Sequence, residues 1–128
     1  MYLEALESRT FLSAVSVPFH ASAQGNLPGN SIVGQATYLG RFTAAFNEQG
    51  LLVLTAANGD ELWASAAITP TSDPAVLHVE GNYVGGTGRF EGASGAFSHD
   101  VTFIDQQGNF VYQVDTTLTF QRPGNGKV

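Results

Sequence analysis

From about residue 14 to residue 122, apolar and polar side chains alternate with a period of two, and no stretch reads as a convincing helix. That period belongs to strands that bury one face and wet the other. The runs carrying it are residues 14–23, 31–39, 41–47, 50–57, 60–69, 75–84, 93–105 and 109–121. Turn-forming residues separate them, at Gly25 to Asn30, Asn47 to Gly50, Asn58-Gly59, Pro70 to Pro74, Gly85 to Gly88 and Gln106 to Asn109. Asn58-Gly59 is the strongest of these signals, because both residues tolerate the positive φ of a type I′ hairpin turn. Eight strands joined by short connections predict an all-β, antiparallel, up-and-down meander. A meander of that length is expected to close into a barrel, which leaves no exposed edge.

The alternation also predicts which side chains line the interior. In residues 109–121, Phe110, Tyr112, Val114, Thr116, Leu118 and Phe120 share the inward face, opposite Val111, Gln113, Asp115, Thr117 and Thr119. By the same parity Leu77, Val79, Gly81 and Tyr83 oppose Val76, His78, Glu80 and Asn82, and Leu62, Ala64, Ala66 and Ile68 oppose Glu61, Trp63, Ser65 and Ala67. Leu51 to Leu54 is apolar on both faces, so one face is predicted to meet a terminal segment or another subunit.

Composition narrows the partners. A chain of 128 residues makes about one domain with a single core. The net charge is −6 with only five Lys and Arg, so there is no basic stripe to neutralise the phosphates of a nucleic acid. No cysteine is present, which removes disulfides, thiolate nucleophiles and Cys-based metal sites. No run approaches the roughly 18 apolar residues of a membrane-spanning helix. Near the N-terminus, Ala21-Ser22-Ala23 has the form of a signal-peptide cleavage site, but Glu4 and Glu7 oppose the positive charge expected ahead of it. Val15, Val17, Phe19 and Ala21 instead alternate as a strand. Domain limits follow: a leader over 1–13, a barrel over 14–122 and a loose tail over 123–128.

Residues 81–97, GNYVGGTGRFEGASGAF, contain the densest glycines. A dinucleotide fingerprint through Gly86 and Gly88 would need glycine where Glu91 stands, and a helix following it; no Lys-Ser or Lys-Thr completes a phosphate loop. The prediction is structural: Gly85, Gly86 and Gly88 take backbone angles closed to other residues, while Gly92 and Gly95 permit close strand approach or curvature. Arg89 and Glu91 fall on one side and are expected to pair with each other or with a neighbouring strand.

Two longer resemblances bear on fold and export. Leu6-Glu7-Ser8-Arg9-Thr10-Phe11-Leu12-Ser13-Ala14 resembles the LExRxLLSA motif at the N-termini of exported planctomycete proteins, which implies an extracellular or cell-surface location; the other reading is an amphipathic N-terminal segment. Val84 to Gly95 resembles the GGTGRFxGAxG motif of allene oxide cyclase-like and dirigent-like barrels. Ala36-Thr37-Tyr38-Leu39-Gly40-Arg41-Phe42-Thr43 is similar to the upstream THLGRFT element of a bacterial branch, with Tyr38 in the usual His position. The resemblance covers about residues 30–122 and implies an eight-stranded barrel, often a trimer, with a mostly apolar cavity. Its enzymes cyclise an unsaturated fatty-acid epoxide by conformational confinement, and its dirigent members steer radical coupling.

Candidate polar groups are few. Arg41 and Arg89 each follow a glycine and precede Phe, and either anchors a ligand carboxylate or braces a turn. Tyr83, Trp63 and Tyr112 either line a cavity or fill the core. His78 and Glu80 share a strand face that parity places outside, and His99 and Asp100 point to opposite sides. No G-x-S-x-G elbow exists, so a Ser-His-Asp triad could arise only by assembly in space. The leading expectation is an exported barrel that binds a hydrophobic small molecule or serves a structural surface role, with no metal, nucleotide or redox cofactor. The alternative is a cyclase using Arg41, Arg89, Tyr83 and Glu80 as polar contacts. An internal site of either kind needs an apolar cavity of about 300 Å³ or more.

Overall fold

The alternating runs become eight strands: β1 (Leu12–Asn26), β2 (Ser31–Ala36), β3 (Gly40–Phe46), β4 (Leu52–Ala56), β5 (Glu61–Pro70), β6 (Val76–Gly86), β7 (Gly95–Phe103) and β8 (Asn109–Pro123). In this computed structural model, which describes residues 12–123, each strand pairs antiparallel with the next and β8 returns to β1. The barrel is therefore closed. Its longest ladder runs from Leu12↔Pro123 to Asn26↔Asn109, so the two strands that would be edges of an open sheet satisfy one another. Leu12 and Ser13 already belong to β1 and Pro123 to β8, so the strands reach past the predicted domain limits. The rest of the leader, residues 1–11, and the tail from residue 124 lie outside the described residues.

Parity assigns the interior well. Phe19, Leu62, Phe90 and Leu118 are fully buried, joined by inward residues such as Phe42, Leu54, Val79, Tyr83, Phe97 and Val114. Each large apolar side chain removed from water contributes about 1.5–3 kcal/mol. Ile68 is a correction, being 47% exposed despite its inward parity. The β4–β5 ladder ends at Leu52↔Ala64, so Ile68 lies in the part of β5 that is paired with β6 alone. Leu52 and Leu54 point inward, and Leu51 and Val53 are half-buried on the other face. Pro18 is tolerated within β1 because the β1–β2 ladder begins only at Ala21↔Ala36, leaving that side of the strand unpaired there.

Two turns differ from the sequence reading. At the β4–β5 connection the Gly59 N–H donates to the Ala56 carbonyl (2.9 Å), making Ala57 and Asn58 the central residues; Gly59 alone takes positive φ. The hairpin is thus a tight turn followed by a left-handed glycine, not type I′. The glycine-rich segment contains a 3-10 turn, Gly88–Phe90, which swings the fully buried Phe90 into the barrel end against Phe120. Positive φ falls at Gly85, Gly88, Gly92 and Gly95 and not at Gly86. Gly86 is needed for proximity instead: a Cβ there would lie 2.2 Å from the Glu61 carbonyl oxygen.

The β7–β8 ladder is short. It pairs Val101↔Tyr112 to Phe103↔Phe110, resumes at the isolated bridge Ser94↔Thr119, and between these the Thr116 hydroxyl donates to the Ala96 carbonyl.

Candidate functional site

The barrel lumen is lined by aromatics from four strands. Tyr83 of β6 packs edge-on against Phe19 of β1 (5.5 Å) and tilted against Phe97 of β7 (4.9 Å). His99 of β7 stacks between Phe97 (5.9 Å) and Tyr112 of β8 (4.6 Å). The residual void among Phe19, Leu54, Tyr83, Phe97, His99 and Tyr112 is about 20 Å³. That is room for about one water, not for an organic substrate. Burial raises the Tyr83 phenol, with a smaller push from Tyr112, and carries Tyr112 up to about 12, so both hydroxyls stay protonated. Burial lowers the pKa of His99, an effect partly offset by Asp100 and reinforced by His78. Its Nδ1 is buried without a hydrogen-bond partner among the described residues. Of the six predicted ligand contacts, only Tyr83 and Tyr112 face this interior.

The other four lie outside. Arg89 is a brace: its Nε is 3.4 Å from Asp60 Oδ2, and its guanidinium rests 5.2 Å from the Phe90 ring centroid. It pairs across to the β4–β5 hairpin and not with Glu91, because the 3-10 turn breaks the extended geometry that would align them. Trp63 lies over Gly85, where an added Cβ would meet the indole at 3.3 Å, and its Nε1 donates to Glu61 (2.8 Å). Trp63 therefore seals the β5–β6 irregularity from outside. Arg41 is exposed, and no described carboxylate comes within ion-pairing distance of it. It lines an outer groove of about 1190 Å³ across β7, β8 and β1 to β4, with Gln35, Gln113, Val33, Val111 and Thr43.

Glu80 belongs to an outer cluster on β6 and β7. His78 Nε2 is 2.9 Å from Glu80 Oε2, and its Nδ1 is 2.9 Å from Asp100 Oδ1. Ser98 Oγ lies 3.3 Å from the same Nε2. The hydrogen bonds from Asp100 and then Glu80 raise the pKa of His78 above its ordinary value. His20 pairs with Asp115 across the β1–β8 ladder. Among the described residues no group of three or more His, Asp or Glu side chains has the geometry to hold a metal ion.

Comparison with family models, curated proteins and solved structures gave no match. Sequence reasoning singled out neither Asp60 nor Ser98, and it placed His99 and Asp100 on opposite sides of their strand without assigning either a partner. His99 had a readable signal, since it shares parity with Phe97 and Val101 on an inward face. Asp60 had none, because its partner lies on another loop.

Proposed function

We propose that this chain is an exported barrel of the allene oxide cyclase-like and dirigent-like type that acts as a binding and surface module, with its ligand on the outer wall. The observation carrying this reading is the contrast between a lumen void of about 20 Å³ and an outer groove of about 1190 Å³ bearing Arg41. The ligand class that suits the groove is an apolar small molecule with one anionic end. Val33, Val111, Ala57 and threonine methyls offer apolar contact, Gln35 and Gln113 offer hydrogen bonds, and Arg41 offers a fork for a carboxylate. The cyclase alternative asks for a confining internal cavity, and the filled lumen weighs against it. A trimer of the kind the resemblance implies would cover the outward row Ala45, Val53 and Trp63, which the β3–β4–β5 register aligns.

Native mass spectrometry of protein isolated from its own cells, paired with titration of anilinonaphthalene sulfonate as an apolar anionic probe, tests the reading. A retained organic acid, and probe binding weakened about tenfold by Arg41→Ala, are the expected results. A bare chain whose probe binding ignores Arg41→Ala overturns it.

A further inference from the structure

The β6–β7 register sets His78 opposite Asp100 and Glu80 opposite Ser98, all on the outer face. Three side chains that belong to no recognised catalytic motif are thereby connected in order. Ser98 Oγ is 3.3 Å from His78 Nε2, and His78 Nδ1 is 2.9 Å from Asp100 Oδ1. This is the nucleophile, base and orienting carboxylate sequence of acyl-transfer enzymes, with each imidazole nitrogen facing the required partner. Ser98 opens on a second groove of about 850 Å³, shared with Asn82, Ser65, Ala67, Ala96 and Phe97. Asn82 is the diagonal cross-strand neighbour of Ser98, about 7–8 Å away across the ladder, and lines the same groove. Its amide can thus donate to an oxyanion developing beside Ser98.

We propose that Ser98, His78 and Asp100 form an acyl-transfer site for neutral carboxylic esters on the outer wall of the barrel. Ser98 Oγ attacks the ester carbonyl carbon as its proton passes to His78 Nε2. The C–O bond to the alcohol then breaks, and that proton leaves with the alcohol. Water next attacks the acyl-Ser98 ester, again through His78, releasing the carboxylic acid and restoring the Ser98 hydroxyl. Asp100 holds the ring and is a positioning residue. Glu80 and Asp115 border the groove, so an anionic acyl group is disfavoured and a neutral one accepted.

Glu80 also restrains the site. Its Oε2 lies 2.9 Å from the Nε2 that must accept the serine proton, and that contact requires Nε2 to carry a proton of its own. The charged groups facing His78 are Glu80 on its own strand and Asp100 on β7, with His99 on the reverse face; on β5 its partner is Thr69, which does not titrate. Activity consequently rises as His78 loses its proton above pH 6.5.

The test is hydrolysis of p-nitrophenyl acetate from pH 6 to 9, with a fluorophosphonate label located by peptide mass and folding of each variant confirmed by circular dichroism. Label on Ser98, and at least tenfold slower hydrolysis in Ser98→Ala and His78→Ala, support the site. Glu80→Gln should raise the rate at pH 7 several-fold and move the pH midpoint down, whereas Asp100→Asn should move the midpoint down and slow the plateau. Label elsewhere, a rate indifferent to Ser98→Ala, or a pH profile unmoved by Glu80→Gln overturns it.

Discussion

The imidazole of His99 lies nearly parallel to the ring of Tyr112, 4.6 Å between centroids and 18° between planes, while its Nδ1 is buried without a partner among the described residues. A stacked neutral ring suits that position; a charged one does not. Because burial depresses the folded-state pKa below 6.5, the unfolded chain binds the proton more readily. Stability should hold above pH 6.5 and fall as the pH drops below it. Replacing His99 with Leu removes the unsatisfied nitrogen and should raise stability at neutral pH by roughly 1 kcal/mol while flattening the acid decline. Urea unfolding of both proteins between pH 4 and 8 reads the difference.

His78 should behave with the opposite sign. Its pKa is raised by Asp100 and Glu80, so its stabilising contribution is complete below pH 6.5 and is lost as the pH climbs through the elevated folded value. Titrated by NMR, the ring protons of His78 should show a midpoint above 6.5 and those of His99 one below it. Asp100→Asn should bring the His78 midpoint down.

Gly81 of β6 leaves no room for a side chain against β5. A Cβ there would lie 1.9 Å from the Ser65 carbonyl oxygen and 2.8 Å from the Phe97 ring. Because one obstacle is backbone in the barrel wall, Gly81→Ala cannot be absorbed by a rotamer change. It should destabilise by about 3 kcal/mol or more, within the range of core overpacking and lost strand pairing. A thermal melt compared with Gly59→Ala, whose Cβ would meet nothing within 4 Å, separates crowding from backbone strain.

Phe90 and Arg89 are neighbours with unequal weight. Phe90→Ala empties a fully buried site against Phe120 and should cost about 3–5 kcal/mol. Arg89→Ala removes a contact from a side chain that is 52% exposed and should cost about 0–1 kcal/mol. Chemical denaturation of the two variants reads this ratio; a larger loss in Arg89→Ala would make the brace to Asp60 the main anchor of the loop.

Tyr38 adopts a φ of 69°, a conformation that suits Asn or Gly better than an aromatic residue. Tyr38→Asn should raise the melting temperature slightly, by relief worth about 1 kcal/mol less the lost edge contact with Phe120.

Strand number, up-and-down order and the inward faces of β6 and β8 were legible because a period of two is a local property of each run. The glycine-rich segment was legible as a corner between strands, which it forms between β6 and β7. Closure itself follows from strand count and unpaired edges, so the barrel too was within reach. What the chain could not disclose locally was lateral register, which depends on how far each hairpin slides before its neighbours pack. Register sends Arg89 to Asp60 and aligns Ser98, His78 and Asp100. The size of the lumen is likewise a property of all eight strands together: only their tilt and the interlocking of Phe19, Tyr83, Phe97, His99 and Tyr112 decided that the interior is filled and that the outer wall carries the open grooves.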